Sequence, residues 1–143
     1  MQIDKGILPL VEAMNATEWI EVNSSCQGHS KGDFKHPYVE FYCEEDRTSE
    51  LATILSDAAN EFDKMGAPFL IDCSLLFDTC IATNSLDAGE GWVAFHIGMI
   101  PLGVRMNKID KEIFIETLAC PFLRKHLIKY PTTSTLLRVL YLI

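Results

Sequence analysis

Between Leu51 and Met65 the apolar residues Leu51, Ile54, Leu55, Ala58, Ala59, Phe62 and Met65 recur at i, i+3, i+4 and i+7, the spacing of one helix face. Asp46 or Thr48 can start this helix, and Gly66 followed by Pro68 stops it. Such a stripe is stable only against another apolar surface, so its neighbours in the chain decide the fold. On both sides the period shortens to that of a strand. Trp19 to Asn23 alternates with Ile20 and Val22 on one face, and Tyr38 to Cys43 alternates with Val39, Phe41 and Cys43 inward. Downstream, Phe69 to Thr83 reads as one long or two short strands interrupted by Asp72 and Asp78. The turn Asp87 to Gly91 leads into a strand at Trp92 to Ile97, with Val93, Phe95 and Ile97 sharing a face.

Two further helices complete the pattern. Ile7, Leu8, Val11 and Met14 have helical spacing, with Asp4 able to cap, Pro9 tolerable in a first turn, and an end near Asn15. Helical spacing returns from Asp110 to Lys129, with a break or kink expected at Pro121, while Thr132 to Ile143 fits either strand or helix. The order α-β-β-α-β-β-α predicts a single α+β domain over residues 1–143, its sheet largely antiparallel and covered by helices.

Bulk properties narrow the function classes. A chain of 143 residues has the usual size of one domain and can bury about two-thirds of its unfolded surface. The segment Met1 to Gly6 lacks the pattern of a secretory leader, and no run reaches the roughly 18 apolar residues needed to span a bilayer. Cys26, Cys43, Cys73, Cys80 and Cys120 form an odd set without framework spacing. These features predict a cytoplasmic protein with reduced thiols and no membrane partner. The net charge of -8 disfavours tRNA and other polyanions as partners, because phosphate binding is driven by Lys and Arg. The charge is uneven: from Ile97 onward there are seven Lys/Arg against three Asp/Glu, in a chain that has 12 against 20. Arg124, Lys125, His126 and Lys129 cluster there near a helix end, where cations also favour the helix dipole.

The segment Ser24-Ser25-Cys26-Gln27-Gly28-His29 follows a strand and precedes a polar loop, where side chains and backbone N–H groups can converge at a sheet edge. Three chemical readings fit it, besides a plain surface turn. Cys26 can be a nucleophile activated by His29, His36 or His96. Cys26, His29, His36 and Cys43 can form a zinc site of two cysteines and two histidines, although alternation turns Cys43 into the core. Alternatively, the backbone of Ser24, Ser25 and Gly28 with the Gln27 amide orients a polar or anionic ligand. Elsewhere, Trp92 and His96 share a strand face opposite Val93 and Phe95, and Glu40 lies outward with Tyr38 and Tyr42.

Ile7-Leu8-Pro9-Leu10-Val11-Glu12-Ala13-Met14-Asn15 followed by Asn23-Ser24-Ser25-Cys26-Gln27-Gly28-His29 resembles the wybutosine-synthesis tRNA methyltransferase family. Members of that family carry a similar proline-containing helix, then a strand, then Ser-Ser-Cys-Ser-Gly-Arg. The resemblance implies an S-adenosylmethionine-dependent methyl transfer onto a tricyclic modified guanosine in tRNA. It extends over about residues 7–29, with Ser24, Ser25, Cys26 and Gly28 on matching positions. Gln27 and His29 stand where the family has Ser and Arg, and His29 lacks the fixed bidentate charge of a guanidinium. The expected site thus has Cys26 and His29 as its catalytic pair. Ser24, Ser25, Gln27, Gly28, His36, Glu40, Trp92 and His96 are expected to bind a small-molecule or nucleotide ligand, with S-adenosylmethionine as cofactor and no residue assigned to a metal. A noncatalytic protein-interaction or regulatory domain is the alternative.

Overall fold

The computed structural model describes residues 3–29, 36–76, 91–103 and 106–129, the last five of these by backbone alone. The expected features at Ser30 to Lys35, Asp78, Asp87 and Thr132 to Ile143 lie outside the described residues, as do the side chains of Lys125, His126 and Lys129. The elements follow the order α1 (Leu8–Asn15), β1 (Ile20–Cys26), β2 (Tyr38–Glu44), α2 (Thr48–Met65), β3 (Phe69–Leu75), β4 (Trp92–Pro101) and α3 (Lys108–Lys129), with a short 3-10 turn at Glu45–Arg47. This is the α+β arrangement that the alternation of periods predicts. The four strands form one antiparallel sheet in the order β1-β2-β4-β3. Strand β4 is therefore inserted between β2 and β3, which run parallel to each other and are joined by α2.

The helix ends differ in detail from the sequence expectation. Neither Asp46 nor Thr48 caps α2 with its side chain; Arg47 occupies the cap position, and the Thr48 hydroxyl donates to the Glu45 carbonyl at 3.1 Å. The stop at Gly66 holds, because the chain there adopts φ 66°, a left-handed conformation that glycine enters without a Cβ penalty. Asp4 does not cap α1 either: Ile7 stands at the cap position without a side-chain bond, and the Asp4 carboxylate is engaged elsewhere. Asn107 and Asp110 form a reciprocal capping box on α3, the Asn107 Oδ1 accepting from the Asp110 N–H at 2.8 Å and the Asp110 Oδ2 from the Asn107 N–H at 3.1 Å. Helix α3 continues through Pro121 despite one missing backbone donor. Leu118, Ala119 and Phe122 are buried on both sides of that proline, and their packing holds the helix together where propensity alone would end it.

The three described helices pack on one sheet face, against Ile20, Val39, Phe41, Cys43, Phe69, Ile97 and Met99. Phe62 of α2, Phe69 of β3 and Phe114 of α3 meet there. Their ring centroids lie 4.9 Å, 5.7 Å and 5.8 Å apart, two pairs edge-on and the Phe62–Phe114 pair stacked. Met65, placed by spacing on the same stripe as Phe62, is 52% exposed at the last turn of α2. Replacing the fully buried Phe114 by alanine leaves a cavity at the junction of three elements and should cost about 3–5 kcal/mol in urea unfolding followed by circular dichroism.

The β1–β2 ladder contains one irregularity with consequences for function. Ile20 and Val22 oppose the core residues Cys43 and Phe41, but the register shifts between Val22 and Ser24, so Asn23 is an extra residue. After this bulge, Ser25 opposes inward-facing Val39, whereas Ser24 opposes Glu40 and Cys26 opposes Tyr38. Strict alternation would have carried Ser24 and Cys26 onto the helix-covered face behind Ile20 and Val22. The bulge transfers them to the other face.

Candidate functional site

At the end of the edge strand β1 the chain turns back through Gly28 (φ 86°), and the turn is fastened to the segment leading into α1. The Gly6 N–H donates to Gln27 Oε1 at 2.6 Å, and the Gln27 N–H donates to Asp4 Oδ2 at 3.3 Å. A Cβ at position 6 would run into Gln27 Oε1, so a side chain there would have to displace the Gln27 amide. The same Asp4 oxygen lies 3.5 Å from His29 Nε2, with the two side chains 36% and 49% exposed. Cys26 Sγ accepts a hydrogen bond from the Gly28 N–H at 3.4 Å and is largely buried. One atom each of Asp4, Cys26 and His29 lies within 4.8 Å of the others. The structure thus brings together the two residues expected to form the catalytic pair and adds Asp4 to them.

On the sheet face opposite the helices, Ser24, Glu40, His96 and Ser74 stand in one row across all four strands, and Cys26, Tyr38, Gly98 and Asp72 in the next. His96 Nδ1 lies 3.5 Å from Glu40 Oε1, and its ring stacks on Tyr38 with centroids 5.3 Å apart and planes at 16°. A Cβ on Gly98 would fall 2.9 Å from His96 Nε2, so the bare glycine allows the imidazole to lie along the sheet. The His96 and Glu40 side chains keep 27% and 28% of their surface exposed, which leaves both reachable from solution.

Of the remaining expected residues, Trp92 stands apart from this centre. Trp92 opposes Glu44, four residues along β4 from His96 and so about 13 Å away. It borders a hollow of about 410 Å³ lined also by Glu44, Glu45, Asp46 and Gly91. His36 is half-buried just before β2. The zinc set of Cys26, His29, His36 and Cys43 does not assemble. Cys26 and Cys43 lie at opposite ends of the ladder, roughly 20 Å apart along the strand, and Cys43 is fully buried in the core. Burial, reinforced by the Glu44 charge, pushes the Cys43 thiol up to about 12, far from the thiolate form that binds metal.

Sequence reasoning assigned Asp4 to a helix cap and did not single out Tyr38 as a ligand residue. Nothing local marks Asp4, since its partners are 22 to 25 residues away in the chain. Tyr38 had a weak signal in its shared parity with Glu40. In comparisons with known proteins, no family model, no curated protein and no solved structure matches the chain. Among the described residues no helix is long and apolar enough to cross a membrane.

Two measurements probe this geometry. Gly6→Ala removes the bond to Gln27 and should lower stability by about 1–2 kcal/mol in urea unfolding, with Gln27→Ala in the same chain costing little more because both changes break one contact. Iodoacetamide at neutral pH should leave Cys43 unmodified in the folded chain and alkylate it only after denaturation, as read by peptide mass spectrometry.

Proposed function

We propose that this chain is a small-ligand-binding α+β domain that takes a nucleoside-type ligand beside β1, on the sheet face opposite the described helices. The observation that carries the reading is the bulge at Asn23, which turns Ser24 and Cys26 toward the face of Tyr38, Glu40 and His96. That surface offers the three contacts a nucleoside uses. In this reading a base packs against the stacked pair of Tyr38 and His96, the Glu40 carboxylate can accept from ribose hydroxyls, and Ser24 adds a hydroxyl. Trp92, with the acidic hollow beside it, lies beyond the reach of the same small ligand.

Among nucleosides, S-adenosylmethionine is the proposed cofactor, on the strength of the motif shared with the wybutosine-synthesis methyltransferases. In the full form of this reading the methyl group passes to a modified guanosine of tRNA, in the cytoplasm. The locally basic C-terminal third is where an RNA backbone would dock on an otherwise acidic chain.

Calorimetric titration with S-adenosylmethionine and with S-adenosylhomocysteine tests the proposal. Binding of either is expected, weakened about tenfold by Glu40→Gln and by Ser24→Ala, each of which removes one ligand hydrogen bond. Absence of heat with both compounds would overturn it and leave the noncatalytic interaction domain as the reading.

A further inference from the structure

We infer that Asp4, Cys26 and His29 form a binding site for a single Zn²⁺ ion, with a fourth position open to solvent. The three side chains supply one oxygen, one sulfur and one nitrogen, a donor set suited to a borderline-soft dication. A thiolate and a carboxylate together offset its two positive charges, leaving a neutral centre. With ordinary zinc–ligand bond lengths, tetrahedral ligands are separated by about 3.3–3.6 Å. Asp4 Oδ2 and His29 Nε2 already stand 3.5 Å apart, and the sulfur needs only a side-chain adjustment to close the 4.8 Å group onto an ion.

The surroundings of the three donors favour a metal over an ordinary exposed ion pair. Metal-bound sulfur and carboxylate groups are held by donors from the layer around them. Here the Gly28 N–H points at Cys26 Sγ, and the Gln27 N–H points at Asp4 Oδ2. Gln27 is itself clamped by the Gly6 N–H, so the ligand-bearing segments are tied together before any ion arrives. Cys26 is 6% exposed while His29 is open to solvent, which gives the ion an entry path and room for a water ligand. The site differs from the two-cysteine, two-histidine set suggested by spacing, sharing Cys26 and His29 but taking its third ligand from the segment before α1. In it Cys26 and His29 act as ligands, not as nucleophile and base.

The inference shares Cys26 with the face of the nucleoside reading but uses none of Tyr38, Glu40 or His96, and its test contains no nucleoside. Metal-stripped protein is titrated with Zn²⁺ alone against a competing chelator, and with Co²⁺ to read the absorption band of a cobalt–thiolate bond. One Zn²⁺ per chain and a Co²⁺–thiolate band are expected. Asp4→Asn, Cys26→Ser and His29→Ala should each weaken Zn²⁺ binding by at least about tenfold, while the exposed-cysteine control Cys73→Ser leaves it unchanged. His29 is exposed at the surface, so His29→Ala keeps the test valid should Cys26→Ser disturb folding. Zn²⁺ affinity unaltered by His29→Ala, or cobalt binding without the thiolate band, would overturn the assignment.

Discussion

The contact among Phe62, Phe69 and Phe114 joins the crossover helix, an edge strand and α3 at a single point. It seats α2 against β3, and it ties α3, which packs between α1 and α2, to the same point. Aromatic rings suit this place because each buries a large apolar area while edge-on and stacked geometries fix relative angles. Phe41 and Phe95 extend the ring packing across the β2–β4 boundary with centroids 5.9 Å apart. The side of the sheet that carries helices is thereby closed, and polar chemistry is left to its edges and opposite face.

On that opposite face, function depends on strand register more than on local composition. The rows Ser24–Glu40–His96–Ser74 and Cys26–Tyr38–Gly98–Asp72 exist because β4 inserts between β2 and β3. A direct β2–β3 pairing would have separated Glu40 from His96. Gly98 matters for the same reason, since a side chain there would lift the imidazole off the sheet. At the β1 end, the clamp between Gly6 and Gln27 has a comparable role in setting how close Asp4 comes to Cys26 and His29.

The layers of the fold were legible along the chain because amphipathic period is a local property. Leu51, Ile54, Ala58 and Phe62 mark a helix, and Val39, Phe41 and Cys43 mark a strand, whatever surrounds them. Helix ends were less legible. The candidate caps Asp4, Asp46 and Thr48 were outcompeted by tertiary contacts or by a 3-10 turn, while the capping box of Asn107 and Asp110 passed unnoticed in a stretch without strong periodicity. At Pro121 the helix is not broken, because a local helix breaker yielded to the burial of Leu118 and Phe122 beside it.

By itself the sequence determined the order of helices and strands, the inward faces of β2 and β4, and the segment from Ser24 to His29 as the place to look. Those are consequences of periodicity and of residue types read within a few positions of one another. Only the tertiary structure decided which residues share the site. The extra residue at Asn23 inverts the facing of everything after it, the strand order places Glu40 against His96, and Asp4 reaches Cys26 and His29 across more than 20 residues of chain. Register and long-range contact are set by the packing of the whole sheet against its helices, and no local pattern encodes them.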